Sequence, residues 1–500
     1  MRAPRKPHAV VIGAGFGGLA AAIRLAARGY QVTLLDRLDK AGGRAYVYEQ
    51  DGFRFDAGPT IITVPHLLEE LWALCGQRMA DHVTLQSLDP FYRIRFDDGE
   101  TFSYFSDPAA MRAEVARLAP QDLAGLERFM RHADAACRTG FEGLSTTPFT
   151  RVSDMLRALP GLARLGAWNS VHGKVASCFS DPRLRSVFSF HPLLVGGNPF
   201  NVTAIYTLIN ALERRWGVHC AHGGTGAVVQ GLVRLIEGQG STIRLNTEVR
   251  RILLEDGRAC GVELADGETL HAEVVVSNAD AAWTYRMMLP ESARKRWTNR
   301  KVERADHSMG LFVWYFGTRK RYESVSHHTL LLGPRYQPLL TDIFKRKVLA
   351  KDFSLYVHRP TATDPSLAPP GCDAFYALSP VPHLGGGKVD WTTEAEPYRQ
   401  RIQQRLEETI LPGLGAEVVT SHLIHPGDFR SRYLSWQGAG FGMEPSMLQS
   451  AWFRPHNVSE DVPGLYLVGA GTHPGAGVPG VLCSAKILDE VVPHARVFIH

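Results

Sequence analysis

The sequence feature that most restricts the fold is residues 9–36, AVVIGAGFGGLAAAIRLAARGYQVTLLD. The apolar run at 9–12 predicts a buried strand, and the Ala- and Leu-rich stretch over 17–28 predicts a helix. A second strand is predicted over 31–35, and Asp36 stands directly after it. A strand, a glycine-rich turn, a helix, a strand and a terminal acid in this order are typical of a dinucleotide-binding βαβ unit. The segment therefore predicts an α/β fold.

Three glycines and one acid in this segment have separate physical roles. Gly13 permits the tight turn after the first strand, Gly15 lets the backbone approach a pyrophosphate, and Gly18 lets the helix pack on the strand. The helix N-terminus adds free N–H groups and the positive end of the helix dipole. Asp36 can accept hydrogen bonds from a ribose hydroxyl. These four residues are the first predicted cofactor ligands.

Two further glycine-containing segments follow within the next 25 residues. The first is Gly42-Gly43-Arg44, in which Gly43 allows close backbone approach and Arg44 offers a planar fork to a phosphate. The second is Asp56-Ala57-Gly58-Pro59-Thr60, and the family resemblance that this segment carries implies that Gly58, Pro59 and Thr60 lie near the same ligand.

A third glycine-rich segment lies near the end of the chain. A buried strand is predicted over 465–469, a loop over 470–480, and a helix over 481–488. A glycine-rich loop before a helix N-terminus suits an anionic group of a ligand, a phosphate included, or serves packing alone. The predicted contacts in this segment are Gly469, Gly471, Gly477 and Val478.

Residues 223–280 predict a helix followed by short strands. The helix is expected over 226–236, and Asp-Gly pairs at 256–257 and 266–267 stand between alternating apolar runs, which is the hairpin signal. We therefore expect a small antiparallel meander that returns through 272–276 to the nucleotide-binding sheet.

The glycine segments also carry a resemblance to a known family. Residues 42–60, GGRAYVYEQDGFRFDAGPT, resemble the superfamily of FAD-dependent amine oxidases and carotenoid desaturases. Within it, the chain resembles the bacterial-type phytoene desaturases from about residue 8 to 490. The further stretches that carry this likeness are 189–209, 311–317, 449–457 and 470–480.

The resemblance implies a fold, a domain plan and a cofactor. It implies a Rossmann-like FAD-binding domain of the glutathione reductase/amine oxidase type, with an inserted α+β substrate domain and a helical cap. In this plan the residue matching Val249 meets the adenine through its backbone. The FAD-binding domain is expected to comprise 1–88, 216–292 and 456–500, and the substrate domain, with a helical membrane-facing region, 89–215 and 293–455.

The resemblance also implies an activity, which is successive trans desaturation of phytoene, a C40 carotene dissolved in membranes, to lycopene. Oxygen or a quinone would accept the electrons. The same enzyme could stop at neurosporene, or act on a later carotene. Three other readings remain open, namely a redox-silent carotene isomerase, an amine oxidase on the same fold, and a flavin-fold escort for a prenylated partner.

Three polar residues are candidates for the reaction itself. Asp154 and Arg157 stand at i, i+3 on one predicted helical face and could bind the chain end of the substrate or accept a proton. Their other reading is an exposed helical ion pair. Glu444 is a second candidate for accepting the proton, or it could hold a loop.

Composition excludes several other classes of function. The net charge of +5 over 500 residues is too small to imply nucleic-acid binding. The seven cysteines lack CxxC spacing and the 20 histidines lack HExxH, so we predict no disulfide framework and no metal site. Long uncharged stretches at 186–212 and 462–485 are broken by Pro and Gly, which argues against membrane-spanning helices.

A membrane-dissolved substrate requires contact with lipid, and three segments are candidates for it. They are the apolar stripe of Leu67, Leu68, Leu71, Trp72 and Leu74, the basic amphipathic stretch 151–174, and the basic residues with Trp297 at 294–304. Each could instead be a core-facing helix or a solvated charged face. The expectation is a cytoplasmic protein bound peripherally to an anionic lipid bilayer.

Overall fold

The computed structural model describes residues 6–498, and 19 strands and 17 α-helices organise them. The strands are β1 His8–Ile12, β2 Gln31–Leu35, β3 Val47–Gln50, β4 Phe53–Asp56, β5 Leu85–Ser87, β6 Tyr92–Arg95, β7 Thr101–Tyr104, β8 His219–Ala221, β9 Thr242–Arg244, β10 Val249–Glu255, β11 Arg258–Leu264, β12 Thr269–His271, β13 Val274–Ser277, β14 Gly310–Thr318, β15 His328–Leu331, β16 Leu355–His358, β17 Asp373–Val381, β18 Val418–Ile424 and β19 Leu465–Leu467.

The 17 α-helices are numbered in chain order, and the first begins at Phe16, inside the glycine-rich segment. They are α1 Phe16–Ala27, α2 His66–Leu74, α3 Pro108–Leu118, α4 Leu123–Ala136, α5 Val152–Arg164, α6 Val171–Ala176, α7 Pro182–Ser189, α8 Leu208–Trp216, α9 Thr225–Gly238, α10 Ala281–Met287, α11 Asn299–Arg304, α12 Tyr336–Thr341, α13 Trp391–Thr409, α14 Leu414–Glu417, α15 Pro426–Tyr433, α16 Val478–Lys486 and α17 Leu488–Val491.

The predicted βαβ unit forms the centre of a five-stranded parallel sheet with the order β19-β13-β1-β2-β9. Helices α1, α9 and α16 pack together and bury the apolar side chains of one sheet face. Helix α1 is buried from Phe16 to Leu25, which explains why its sequence is apolar all round. The Rossmann-like α/β prediction is therefore confirmed.

The strands of this sheet come from three separate parts of the chain, 8–35, 242–277 and 465–467. Between them, β10, β11 and β12 form the predicted antiparallel meander, which leads directly into β13. All three parts lie inside the segments assigned to the FAD-binding domain, while the exact boundaries of both domains stay a prediction.

A second, seven-stranded sheet has the order β18-β14-β17-β16-β15-β6-β7. Only the β15–β6 pairing is parallel, so this sheet is mixed. Its strand β14, second from the β18 edge, is buried along its whole length, which accounts for the unbroken apolar run LFVWYFG at 311–317. Helices α3 to α8 follow β7 in the chain, and we call them the helical layer.

Two predictions about membrane contact can be compared with the structure. The stripe on α2 is wrong as a lipid-binding face, because Leu67, Leu68, Leu71 and Trp72 are buried in the core against α1 and α9. Trp297 is also buried, beneath the Lys301 ammonium, so the 294–304 segment presents charge without an apolar anchor.

Among residues 6–498, no helix combines the length and the apolar composition that crossing a bilayer requires. The uncharged stretch 186–212 is divided between short helices and turns, and the stretch 462–485 forms β19, a loop and part of α16. Their Pro and Gly residues break both stretches, as the sequence predicts.

Candidate active site

One cavity of about 800 Å³ runs from the carboxyl edge of the five-stranded sheet to the seven-stranded sheet and α5. This is the edge at which ligands bind in open α/β sheets, because strand ends and helix N-termini leave a crevice there. The volume lies in the upper part of the range usual for ligand cavities. The end near the sheet is lined by glycines and charged residues, and the remainder is almost entirely apolar.

The glycine-rich turn at the sheet end is tightly closed. The Gly13 amide donates to the Leu35 carbonyl oxygen at 2.7 Å, which joins the turn to β2. A Cβ atom on Gly18 would lie 1.9 Å from the Gly13 carbonyl oxygen, so only glycine allows α1 to start this close to the turn. The turn thus exposes its backbone to the cavity at Gly15, while Gly18 serves packing alone.

Asp36 supports the same turn from the end of β2. Its carboxylate accepts hydrogen bonds from the Ala14 amide at 2.7 Å and the Leu38 amide at 2.8 Å. Burial raises the pKa of the Asp36 carboxyl, and the two backbone hydrogen bonds oppose this shift. Asp36 and Val249 both line the cavity, while their contacts to the adenosine end stay a prediction.

Arg44 places a guanidinium group with few protein partners in the cavity wall. Its Nη2 donates to Ser435 Oγ at 3.2 Å, while its Nε is buried and has no hydrogen-bond partner. Burial lowers the pKa of the guanidinium, and the negative charge of Asp280 opposes that shift. The half-buried guanidinium lines the cavity together with the glycine cradle, and its charge and planar fork fit an anionic diphosphate.

The segment 57–60 forms the next part of the wall and is held by tyrosines of the seven-stranded sheet. The Thr60 hydroxyl lies 3.0 Å from the Tyr356 hydroxyl and 2.9 Å from the Tyr376 hydroxyl. Tyr315 donates to the Ala57 carbonyl oxygen at 2.6 Å. Gly58, Pro59 and Thr60 are therefore fixed exactly where the polar and apolar parts of the cavity meet.

The C-terminal glycine segment closes the cavity from the side of β19. The Gly469 amide donates to Ser484 Oγ at 2.8 Å, and Gly477 directly precedes α16, so the helix N-terminus faces the cavity at Val478. Gly471 does not line the cavity, because it packs against Ala281, where a Cβ atom would approach to 2.8 Å. This segment presents backbone groups rather than charged side chains.

The structure brings most of the predicted cofactor residues to one surface. All of them except Gly18 and Gly471 line the cavity, namely Gly13, Gly15, Asp36, Gly43, Arg44, Gly58, Pro59, Thr60, Val249, Gly469, Gly477 and Val478.

The apolar part of the cavity is built from the seven-stranded sheet and the helical layer. Aliphatic side chains dominate it, including Leu311, Val313, Leu330, Leu332, Leu339 and Leu378 on one side and Ile205, Leu208, Ile209 and Leu212 on the other. Such a wall offers shape and a dry environment, with few groups that could donate or accept a hydrogen bond.

Asp154 and Arg157 do not line the cavity. Asp154 lies in the first turn of α5, where its carboxylate accepts from the Arg151 amide at 3.0 Å and from Arg157 Nη1 at 3.2 Å. Arg157 is exposed, and the opposite face of α5 reaches the cavity through Met155 and Leu159. The pair thus caps a helix, and its role in the reaction stays a prediction.

Glu444 is buried but also lies outside the cavity wall. Its Oε1 accepts hydrogen bonds from the Asn198 amide at 3.2 Å and from Asn201 Nδ2 at 3.4 Å, so it holds the 198–201 turn. Burial raises the pKa of the Glu444 carboxyl to about 7. Its role as proton acceptor stays a prediction, whereas its contacts are those of a loop anchor.

The Glu444 environment predicts a pH-dependent stability. The folded chain holds the proton more tightly than the unfolded chain, whose carboxyl has a pKa of 4.5, so this stabilisation is complete below pH 4.5 and lost as the pH rises towards 7. We expect Glu444→Gln to remove about 3 kcal/mol of the difference in unfolding free energy between pH 4.5 and pH 8. Denaturant unfolding at pH 4.5 and pH 8 measures this difference in unfolding free energy. Glu408→Gln, at an exposed position, is the control and should leave the difference unchanged. The same pH dependence of the unfolding free energy in both variants would contradict the prediction.

Sequence reasoning missed Asn278, which lies at the centre of the nucleotide end. Its Nδ2 donates to the Gly13 carbonyl oxygen at 3.2 Å, and it fills the space opposite Gly15, Gly17 and Gly469. The available signal was its position, one residue after the buried strand β13, at the carboxyl edge of the sheet. Asp280, which caps α10, also stands just after β13 and lines the cavity, so its position gives the same signal.

Comparison with known proteins agrees with this geometry. The sequence profile of the flavin-containing amine oxidoreductase family matches residues 16–487. The phytoene desaturase (neurosporene-forming) of Rhodobacter capsulatus is 51% identical over 493 residues, which cover 98% of this chain and 94% of the relative. The phytoene desaturase (lycopene-forming) of Pseudescherichia vulneris is 49% identical over 477 residues, which cover 95% and 97%.

A solved oxidoreductase from Methanosarcina mazei shares the fold, with a TM-score of 0.66 at 21% identity over 97% of this chain and 100% of that chain. The fold and the cavity together define an oxidoreductase that uses a flavin cofactor. The chain belongs to the flavin-containing amine oxidoreductase family, and within it to the group of the phytoene desaturases.

Proposed function

We propose that the protein is an FAD-dependent phytoene desaturase that inserts successive trans double bonds and forms lycopene. The observation that carries this proposal is one continuous cavity that joins a dinucleotide cradle to a long aliphatic channel. A C40 hydrocarbon has no polar group, and aliphatic side chains dominate the channel that would hold it. The relatives that share about half of their residues with this chain are named for the same reaction.

The chemistry of the reaction explains the scarcity of polar side chains. Each double bond requires loss of a hydride and a neighbouring proton from a CH2–CH2 unit, and no side chain accepts a hydride. FAD, when bound, supplies that acceptor, and oxygen or a quinone finally receives the two electrons. The chain itself positions the substrate and excludes water, and the aliphatic walls from β14, β15 and α8 serve this purpose.

Neurosporene is the second candidate product. Relatives that form neurosporene are 51% and 50% identical to this chain, and relatives that form lycopene are 49% and 48% identical. The number of double bonds formed depends on how far the substrate can slide in the channel and how fast it leaves. The relatives are all named phytoene desaturases and differ in the product that the name gives.

Incubation of the purified protein with FAD and phytoene in liposomes tests the proposal, in air and anaerobically with a quinone. We expect red, extended polyenes, with the absorption spectrum separating lycopene from neurosporene. A product with an unchanged number of double bonds would instead indicate an isomerase. Unchanged phytoene under both conditions, with FAD bound, would contradict desaturation of this substrate.

We further propose that the cavity opens onto a membrane surface through an apolar patch, which we call the mouth patch. It comprises Val152, Leu156, Leu159, Trp168, Met447, Leu448 and Phe453, all exposed. Leu159, Met447, Leu448 and Phe453 also line the cavity, so the patch surrounds an opening. Exposed Arg157 and Arg164 stand on the same helix and suit an anionic bilayer.

Removal of apolar side chains from the mouth patch is expected to weaken membrane binding. The double variant Leu156→Ser and Trp168→Ser loses two side chains that are 60% and 67% exposed, so the fold should tolerate it. Transfer of such side chains from water to lipid is worth about 1.5–3 kcal/mol each, and we expect at least about tenfold weaker partitioning.

Flotation with anionic vesicles at low salt measures this partitioning. Val419→Ser, which removes an exposed apolar side chain from β18 at the edge of the seven-stranded sheet, is the control and should bind as the unmodified protein does. Failure of the unmodified protein to float at low salt would contradict the proposal.

A further inference from the structure

Three buried histidines meet beside the β15–β16 pair, outside the cavity wall. His328 and His358 are paired across the two strands, and His327 directly precedes β15. All three are more than nine-tenths buried, and one ring nitrogen of each lies within 4.8 Å of those of the other two. The Nε2 atoms of His327 and His358 are 3.1 Å apart.

The surroundings orient these rings. His327 Nδ1 lies 2.7 Å from the Thr363 hydroxyl, and His328 Nδ1 lies 2.7 Å from the Tyr356 hydroxyl. The Nε2 atom of His327 faces that of His358 at 3.1 Å, and the Nε2 atom of His328 is buried with no hydrogen-bond partner. Holding one imidazole nitrogen by a hydroxyl while the other points at a common centre is the arrangement of metal-ligating histidines.

We propose that His327, His328 and His358 bind one divalent transition metal ion, with Zn²⁺ as the preferred ion. Imidazole is a favoured ligand of Zn²⁺, and nitrogens about 2.0–2.1 Å from a tetrahedral centre lie about 3.3 Å apart. The Nε2 atoms of His327 and His358 already have nearly this separation, and a ring nitrogen of His328 lies within 4.8 Å of the ligand nitrogens of both.

The fourth ligand position has space of suitable size and charge. A cavity of about 10 Å³ is bordered by His327 and His358, together with Asp56 and Asp364. This volume holds about one water molecule. Two carboxyl groups beside the water position supply negative charge, which a dication bound by three neutral rings requires.

The bound ion would have a structural effect on the active site. It would fasten β15 to β16, and Tyr356 would carry this restraint to Thr60, since its hydroxyl contacts both His328 and Thr60. The sequence gives no signal for this site, because His327 and His328 stand 31 and 30 positions before His358 and match no ligand spacing.

The test uses the flavin-loaded protein without a histidine tag, stripped by a chelator and titrated with Co²⁺ and Zn²⁺. We expect one equivalent of Co²⁺ to give the visible absorption of a tetrahedral cobalt site, and Zn²⁺ to displace it and raise the midpoint of thermal unfolding. X-ray absorption of the zinc-loaded protein should show three imidazole nitrogens at about 2.0 Å.

Variants assign the ion to the cluster. His358→Gln and the triple variant His327→Gln, His328→Gln, His358→Gln should lose the bound equivalent, while the half-buried His132→Gln on α4 should keep it. Retained flavin absorption shows that a variant is folded. If the unmodified protein binds no more Co²⁺ or Zn²⁺ than the triple variant, or if X-ray absorption shows no three-imidazole shell, the proposal is wrong. The unmodified protein alone decides the latter outcome if the variants do not fold.

Discussion

Gly18→Ala is expected to weaken flavin binding about 100-fold, and with it to reduce the desaturation of phytoene. The added methyl group would lie 1.9 Å from the Gly13 carbonyl oxygen, which is backbone and cannot move without opening the turn. Overpacking of this kind costs about 3 kcal/mol, which corresponds to about 100-fold weaker binding. Because Gly13 and Asn278 shape the cradle together, a displaced turn also loses the hydrogen bond between them.

Flavin content per chain after gel filtration, followed by titration with added FAD, measures this loss. Gly238→Ala is the matched control, since it adds the same methyl group at the end of α9, where no atom lies within 4 Å. Because alanine is the better helix former, the control should bind flavin normally and be no less stable. Normal flavin content in Gly18→Ala would show that α1 can shift without damage to the cradle.

Arg44→Met is the second substitution with a large expected effect. Methionine keeps much of the side-chain length and removes the charge whose Nε has no partner within the protein. Loss of a buried, hydrogen-bonded charge pair costs about 2–5 kcal/mol, so we expect the Kd for FAD to rise by at least about 30-fold. Arg44→Lys should fall between, since it keeps the charge and loses the planar fork.

Fluorescence titration with FAD measures these constants, and rising salt should weaken binding less in Arg44→Met than in the unmodified protein. Arg54→Met is the control, because Arg54 is half-exposed and pairs with Glu49 at the surface. Equal Kd values for Arg44→Met and the unmodified protein would indicate that backbone N–H groups alone bind the diphosphate.

The nucleotide-binding half of the fold could be predicted from sequence because its signals are local. Strand β2 has the predicted bounds, and α1 differs by one residue at each end. Asn278 and the tyrosines that hold 57–60 could not be found in this way. They come from distant parts of the chain, and only the packing of the two sheets brings them to the cavity.

Amphipathic stripes were the least informative signals. The stripes on α2 and α5 are alike in sequence, yet α2 is buried against α1 while α5 exposes Leu156. An apolar helix face must be covered by other apolar groups, and the sequence does not show whether protein or lipid covers it. Asp154 illustrates the same limit, since an i, i+3 pair near a helix start serves equally as a cap or as a catalytic group.

The order of strands in the parallel sheet has a consequence for biosynthesis. A ribosome releases β1 and β2 first, but β13 and β19 become available only after about half and then nearly all of the chain has been made. The seven-stranded sheet must also form its long-range pairings, since β6 and β7 precede β13 while β14 to β18 follow it, and such contacts form slowly. Loading of the flavin is therefore an event of the finished polypeptide, and a nascent chain that stops before residue 478 has no complete cradle to offer it.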